Sequence, residues 1–255
     1  MSKNKGQALP YSISQNFLTS RRIIDRLLTH TTIQKSDTVL EIGAGKGHIT
    51  KALADHAGDV LAYEIDGNLA EKIKPKLPEN VRLIQGDFLR CTLPKEKYKV
   101  FANIPFSRTT EIVRKLTEAS NPPDAAWLIM EKGAAKRFCG QPSENLNSLL
   151  IKPYFETRIC YYLRREDFHP APRVDCVLIE FIRKPKPDLP STQKKAFAQF
   201  VKKAKQQGIE TLLTKKQISM ALRMAGLPPV ERSGTIQYVQ WLCLFWCWMQ
   251  FGKGR

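Results

Sequence analysis

An α/β fold, with an open and mostly parallel sheet followed by a small helical unit, is predicted by three observations. Val39 to Gly47 reads VLEIGAGKG, an apolar run passing straight into glycines at alternating positions. A buried parallel strand turns into a helix beside a ligand in this way. Three further apolar runs also deliver polar residues at their ends: VLAYEI (Val60 to Ile65) carries Glu64, VRLIQGDF (Val81 to Phe88) carries Asp87, and VFAN (Val100 to Asn103) ends on Asn103. Ligands of open α/β sheets bind at the carboxyl ends of the strands, so these four ends define a candidate site. The third observation is a change of composition at Arg183, where RKPKPDLPST gives way to lysine-rich sequence with helical periodicity. The expected division is a basic arm over 1–13, a Rossmann-like sheet domain over 14–182, a linker over 183–191, a basic helical unit over 192–247 and a tail over 248–255.

The chain has 255 residues, 42% of them hydrophobic, with 14 glycines and 16 prolines. That is enough for one α/β domain of about 150 to 200 residues and a small appendage. Lysine and arginine number 41 against 24 acidic residues, a net charge of +17. Such an excess favours a polyanionic partner, nucleic acid before an anionic membrane, with solvated surface as the competing explanation. The six cysteines show no paired CxxC spacing, and Cys243 and Cys247, which share a helical face, lie in apolar sequence without a nearby histidine. Packing is therefore expected rather than metal binding, and a reducing compartment such as the cytoplasm. MSKNKGQALPYS lacks an apolar core, so neither a signal peptide nor a membrane anchor is expected there.

Taken in order, SQNF (Ser14 to Phe17) precedes a helix whose Ile23, Ile24, Leu27 and Leu28 share one face. Gln15 and Asn16 are placed to reach a ligand, although Asn16 also suits a turn cap. After Gly47, HITKALADHAG is helical and stopped by Gly58, and Asp66 caps the next helix. TTEIVRKLTEAS forms a helix with Ile112, Val113 and Leu116 inward. Ala125 to Met130 is apolar throughout, as for a central strand. A further helix is expected near Asn145 to Ile151, a sixth strand from Phe155 and a seventh over Val174 to Ile182. In the C-terminal unit, Ala196, Phe197, Phe200, Val201 and Ala204 form one stripe. The last helix is expected to pack through Val239, Leu242, Leu244 and Phe245, with no role assigned beyond Cys247. The tail is too short and interrupted for a membrane span.

NIPF, Asn103 to Phe106, carries the most chemistry. Such a strand turn can also be purely structural, and its place at the end of the fourth apolar run is what favours a chemical role. An exocyclic base amine is a poor nucleophile because its lone pair is delocalised into the ring. A site that uses it must accept from both amine hydrogens and donate to none. The Asn103 side-chain oxygen and a main-chain carbonyl such as that of Ile104 can do this. Pro105 stiffens the backbone between them and Phe106 offers a face for stacking. Phe168, before the HPAP turn, is a candidate second aromatic wall, or a hydrophobic plug at a sheet corner. Candidate phosphate contacts are Arg108, Arg114, Lys136, Arg137, Arg164, Arg165, Lys202, Lys203 and Lys205. Between Arg183 and Lys216 ten lysines and arginines face two acids, a density that suits nucleic-acid backbone.

The glycine pattern is GxGxG followed by His48, where a dinucleotide site wants a small residue. Glu64, Asp87 and the glycines Gly43 and Gly45, with Ala44 between them, instead suit S-adenosylmethionine, which has a ribose and an adenine but no phosphate. The ordered set QNFLTSRR, EIGAGKGHIT, Glu64, GDFL, NIPF, EKGAAKRF and FHPAPRVDC resembles the ribosomal RNA adenine N6-methyltransferases. Within them it looks most like the erythromycin-resistance (Erm) branch, rather than the small-subunit housekeeping enzymes. GKGH at Gly45 to His48 and EKGAAKRF carry that choice.

The resemblance implies a class I S-adenosylmethionine-dependent methyltransferase sheet. It implies transfer to N6 of one adenosine in the peptidyl-transferase loop of 23S rRNA, with macrolide, lincosamide and streptogramin B resistance and S-adenosylhomocysteine as by-product. It further implies a cytoplasmic monomer acting on protein-free or pre-ribosomal RNA. By matching motifs, Gln15, Asn16, Leu18, Gly43, Gly45, Glu64 and Asp87 line the cofactor pocket. Ile65 and Phe88 flank its adenine, and Asn103, Phe106 and Phe168 hold the target base. Cys176 stands where the family usually has serine, and the resemblance does not explain the Trp- and Cys-rich end. The alternatives are methylation of 16S rRNA and a non-enzymatic ribosome-binding role.

Overall fold

The computed structural model describes residues 16–231 and 234–252. Its strands are β1 (Phe17–Leu18), β2 (Thr38–Ile42), β3 (Asp59–Glu64), β4 (Val81–Gln85), β5 (Lys99–Asn103), β6 (Ala125–Glu131), β7 (Phe155–Leu163), β8 (Phe168–His169) and β9 (Cys176–Arg183). Its helices are α1 (Arg21–Leu28), α2 (His48–His56), α3 (Gly67–Ile73), α4 (Thr109–Glu118), α5 (Lys132–Phe138), α6 (Leu146–Ile151), α7 (Lys194–Gln207), α8 (Lys215–Met224) and α9 (Tyr238–Phe251). The expected basic arm over 1–13 and Gln15 lie outside the described residues.

Seven strands form one sheet in the order β4-β3-β2-β5-β6-β9-β7. The pairings β2 with β3, β3 with β4, β2 with β5 and β5 with β6 are all parallel. The chain therefore builds outward from β2 to β4, then returns to place β5 on the other side of β2. That reversal is a topological switch point, and it opens a crevice at the carboxyl ends of β2 and β5. Strand β6 has Ala125 to Met130 all buried, as required of a strand covered on both faces. Asp66 caps α3 by accepting from the Asn68 and Leu69 amides at 2.9 and 3.2 Å. A second, two-stranded ladder pairs β1 antiparallel with β8, Leu18 opposite Phe168 and Phe17 opposite His169.

The chain divides into two compact units: one contains the residues up to Lys132 with Cys160–Glu180, the other Gly133–Ile159 with Phe181 onward. Composition alone puts the break at Arg183, whereas contacts group Gly133–Ile159 with the C-terminal helices. In that second unit Phe197, Phe200, Val201 and Ala204 are buried along α7, as their spacing predicts.

The expected boundary at Cys247 is corrected here. Helix α9 runs on to Phe251, and Trp241, Leu244, Phe245 and Trp248 all face inward. Their spacing of three, four and seven residues is one helical face, obscured in sequence because the other faces are apolar too. Trp248 lies 5.4 Å from the Phe200 ring centroid and 6.2 Å from that of Phe245. Val239, expected to pack, is 47% exposed. No described helix is long and apolar enough to cross a membrane.

Trp248→Ala is expected to destabilise the protein by about 3 to 5 kcal/mol, the usual cost of emptying a buried tryptophan site. Urea unfolding measures this, and a change within about 0.5 kcal/mol, typical of surface positions, would return Trp248 to an uninvolved tail.

Candidate functional site

The glycine turn after β2 is shaped by backbone geometry. Gly43, Gly45 and Gly47 have φ of 80°, 54° and 77°, values open to glycine and strained for other residues. Gly45 is constrained twice, because a Cβ there would come 2.7 Å from the Phe17 ring. The Gly43 and Ala44 amides donate to the Tyr63 carbonyl, each at 2.9 Å. The Gly45 amide donates to Glu64 Oε2 at 2.6 Å, and Glu64 Oε1 accepts from the Asp66 amide at 2.9 Å. The Glu64 carboxylate, 2% exposed, thus joins the turn after β2 to the end of β3.

Around this turn an open pocket holds about 990 Å³ of empty space, its mouth included. The strand ends supply most of its lining: Gly43 and Gly45 after β2, Glu64 and Ile65 at the end of β3, Asp87 and Phe88 beyond β4, and Asn103 to Phe106 at the end of β5. Asp87 Oδ1 accepts from the Leu89 amide at 2.9 Å, which orders the turn. Phe88 meets Tyr63 edge-on with centroids 5.7 Å apart. Lys115, on α4, braces this wall: its ammonium lies 5.0 Å over the Phe88 ring and donates to the Phe88 carbonyl at 2.7 Å and to that of Cys91. Burial holds the Lys115 pKa below its ordinary value.

At the other side, Asn103 Nδ2 donates to the Asn16 main-chain oxygen at 2.7 Å. A carbonyl can only accept, so the amide nitrogen must face Asn16 and the side-chain oxygen is turned the other way. Pro105, at φ −64° and ψ 123°, leads into a short 3-10 turn over Phe106–Arg108. Arg108 reaches the pocket while its guanidinium pairs with Glu111 at 2.9 Å.

Of the residues expected in the site, Asn16, Gly43, Gly45, Glu64, Ile65, Asp87, Phe88, Asn103, Ile104, Pro105 and Phe106 line this pocket. Ala44 is buried in the turn, and Leu18 is buried in β1 opposite Phe168 of β8. Phe168 is 4% exposed and supports the ladder next to Asn16 rather than lining the pocket. Phe17 and Tyr63 were not anticipated, although both are aromatics adjoining residues that were. Of the expected phosphate contacts, Lys136, Arg137, Arg164, Arg165 and Lys202 are exposed and Lys203 is partly buried. Arg114 pairs with Glu118 at 3.0 Å. Lys205 is exposed too but tethered within its own unit, donating to the Glu144 main-chain oxygen at 2.7 Å and lying 5.3 Å over Trp241. Among the described residues no cluster could hold a metal ion.

The family model described as ribosomal RNA adenine dimethylase matches residues 7–241. An rRNA adenine N-6-methyltransferase from Escherichia coli is 35% identical over 95% of this chain and 97% of its own length. One from Lysinibacillus sphaericus is 34% identical over 91% and 93%. Among solved structures, the 23S rRNA methyltransferase ErmE superposes with a TM-score of 0.81 at 27% identity, over 92% of this chain and all of ErmE. A dimethyladenosine transferase from Plasmodium falciparum, at 20% identity and a TM-score of 0.71, shares the fold over 89% of this chain and 95% of its own.

Beneath the glycine turn, Glu41 of β2 is 1% exposed. Burial pushes its carboxyl up to about 8, opposed by the Thr50 hydroxyl and assisted by the Glu64 charge. The unfolded chain titrates it near 4.5. Between these values the folded state keeps a proton that the unfolded state releases, so this group's contribution to stability falls as pH rises from about 4.5 to about 8. Glu41→Gln abolishes that loss. The variant's melting temperature should gain on the wild type steadily across this window, and a pH-independent difference between the two would contradict a neutral Glu41.

Proposed function

The chain belongs to the ribosomal RNA adenine dimethylase family, and from that membership we propose that it methylates N6 of one adenosine in the peptidyl-transferase loop of 23S rRNA. Resistance to macrolides, lincosamides and streptogramin B follows from a methyl group at that position. The 23S assignment is supported by the likeness to ErmE over nearly all of both chains, and by GKGH and EKGAAKRF. The proposed partner is protein-free or pre-ribosomal 23S rRNA, met in the cytoplasm by a monomer.

The lining fits S-adenosylmethionine. Each Glu64 oxygen accepts one amide and keeps a lone pair for a ribose hydroxyl. Asp87 offers an acceptor for an adenine amine, Ile65 and Phe88 offer apolar walls, and the glycine turn leaves room for the amino-acid tail. When bound, this cofactor supplies an electrophilic methyl on a sulfonium and leaves as S-adenosylhomocysteine.

The observation that carries the reading is the Asn103–Asn16 hydrogen bond. With Nδ2 committed, Asn103 presents an acceptor to the pocket. Asn103 Oδ1 and the Ile104 carbonyl take the two amine hydrogens of the target adenine and turn its lone pair toward the methyl group. Phe106 stacks on the base. No general base is needed, because the methylated nitrogen is a strong acid that gives its proton to water.

The test is transfer of labelled methyl to protein-free 23S and 16S rRNA, followed by mapping of the modified base. One labelled adenosine in the 23S peptidyl-transferase loop is expected. Label in 16S rRNA would reassign the target, and absence of label from both would refute the enzymatic reading. Asn103→Ala should retain RNA and cofactor affinity and lose at least about tenfold in single-turnover rate, about 1.4 kcal/mol of transition-state stabilisation. Equal rates would remove Asn103 from the mechanism.

A further inference from the structure

Tyr162 is the penultimate residue of β7 and is 58% exposed, while Leu163 beside it is buried. The Lys132 ammonium lies 5.7 Å from the Tyr162 ring centroid, within range of a cation–π contact. Lys132 opens α5 directly after Glu131, the last residue of β6. Strand β6 runs parallel to β5 with Ile129 opposite Asn103. The ring and its cation therefore stand on the same rim of the sheet as Asn103, displaced sideways along it.

A second cation is held at the same place. Arg165 Nη2 lies 3.3 Å from Asp175 Oδ1, and Lys132 Nζ lies 3.7 Å from Asp175 Oδ2. The Lys132 amide also donates to the Asp175 main-chain oxygen at 2.8 Å. One carboxylate thus positions two cations. The result is an exposed aromatic face beside two ordered cations.

That combination is the chemistry of single-stranded nucleic-acid binding: any base can stack on the ring, and the cations meet the phosphate. A duplex offers no free base face at this position. An acidic peptide would use the cations and leave the ring unused. We infer that Tyr162, Lys132 and Arg165 form a stacking platform for an unpaired nucleotide flanking the target adenosine in the RNA. The inference rests on the RNA-methylating reading and adds a requirement to it: the target lies in a strand segment whose neighbour is also unstacked.

The experiment measures affinity and turnover separately, using a transcript of the 23S peptidyl-transferase loop as the probe. Tyr162→Ala should weaken RNA binding about tenfold, within the range for loss of one base–aromatic stack, and Tyr162→Phe should bind as the wild type does. Calorimetric affinity for S-adenosylhomocysteine should be equal in all three, which separates a lost platform from a damaged fold. Transcripts with an abasic site at each flanking nucleotide in turn should include one on which wild type and Tyr162→Ala bind equally. Lys132→Ala with Arg165→Ala should flatten the salt dependence of binding. Unchanged affinity of Tyr162→Ala for every transcript would overturn the platform. If the tenfold affinity difference appears but wild type methylates no rRNA, the platform stands and the proposed reaction fails.

Discussion

The described site depends on a carboxylate that has been taken out of water and given amides in exchange. Glu64 accepts from Gly45 and Asp66 at 2.6 and 2.9 Å, and without those donors its burial would carry a large desolvation cost. Each donor lies in a turn that leaves the sheet, one after β2 and one after β3. One side chain therefore sets the separation of two strand ends whose register is already fixed from Thr38↔Asp59 to Ile42↔Tyr63. The left-handed glycines follow from the same constraint. The amide of Gly45 can point at Glu64 only if the chain turns sharply, and Phe17 lies where a side chain at Gly45 would need to go.

A second tie closes the opposite side. The Asn16 carbonyl, held beside the β1–β8 ladder, receives the Asn103 amide and orients it. Phe168 has its place in this arrangement: buried opposite Leu18, it supports the ladder that brings Asn16 to Asn103. An aromatic that sequence reading offers as a wall of the pocket thus works one layer back. The wall at Phe88 has its own support in Lys115, whose ammonium satisfies carbonyls of the turn after β4 and covers the ring. Both aromatic positions are held by polar contacts from distant segments, so the pocket keeps its shape through long-range hydrogen bonds as well as packing.

The parts legible in sequence are those governed by local periodicity and by the rule that strand ends bear ligands. β2 to β6, the Asp66 cap, the α7 stripe and the strand-end residues Gly43, Gly45, Glu64, Asp87 and Asn103 are of this kind, whereas Ile65 and Phe88 are implied by the family resemblance. Tertiary choices escaped it. The α9 face could not be read because YVQWLCLFWCWMQF is apolar all round and leaves the helical period without contrast. The grouping of Gly133–Ile159 with the C-terminal helices depends on contacts such as Leu149 with the cluster around Phe200, which no composition shift announces. The sequence does not decide between the two roles of Phe168, because an aromatic before a proline turn suits either.

Charge shows the same difference between composition and use. The second unit is dense in lysine, yet several of its ammonium groups are spent on its own aromatic residues: Lys152 and Lys184 on Tyr238, Lys194 on Tyr154 and Lys205 on Trp241, at 5.1 to 5.9 Å. Burial lowers the Lys205 pKa, against the pull of Glu144. A lysine so held packs its stem on the ring and keeps its charge near the surface, contributing to the long-range field. The net charge of +17 is thus a property of the field around the protein and does not itself identify contact residues. Cations with exposed heads are found in both units, Lys202 in one and Arg164 and Arg165 in the other.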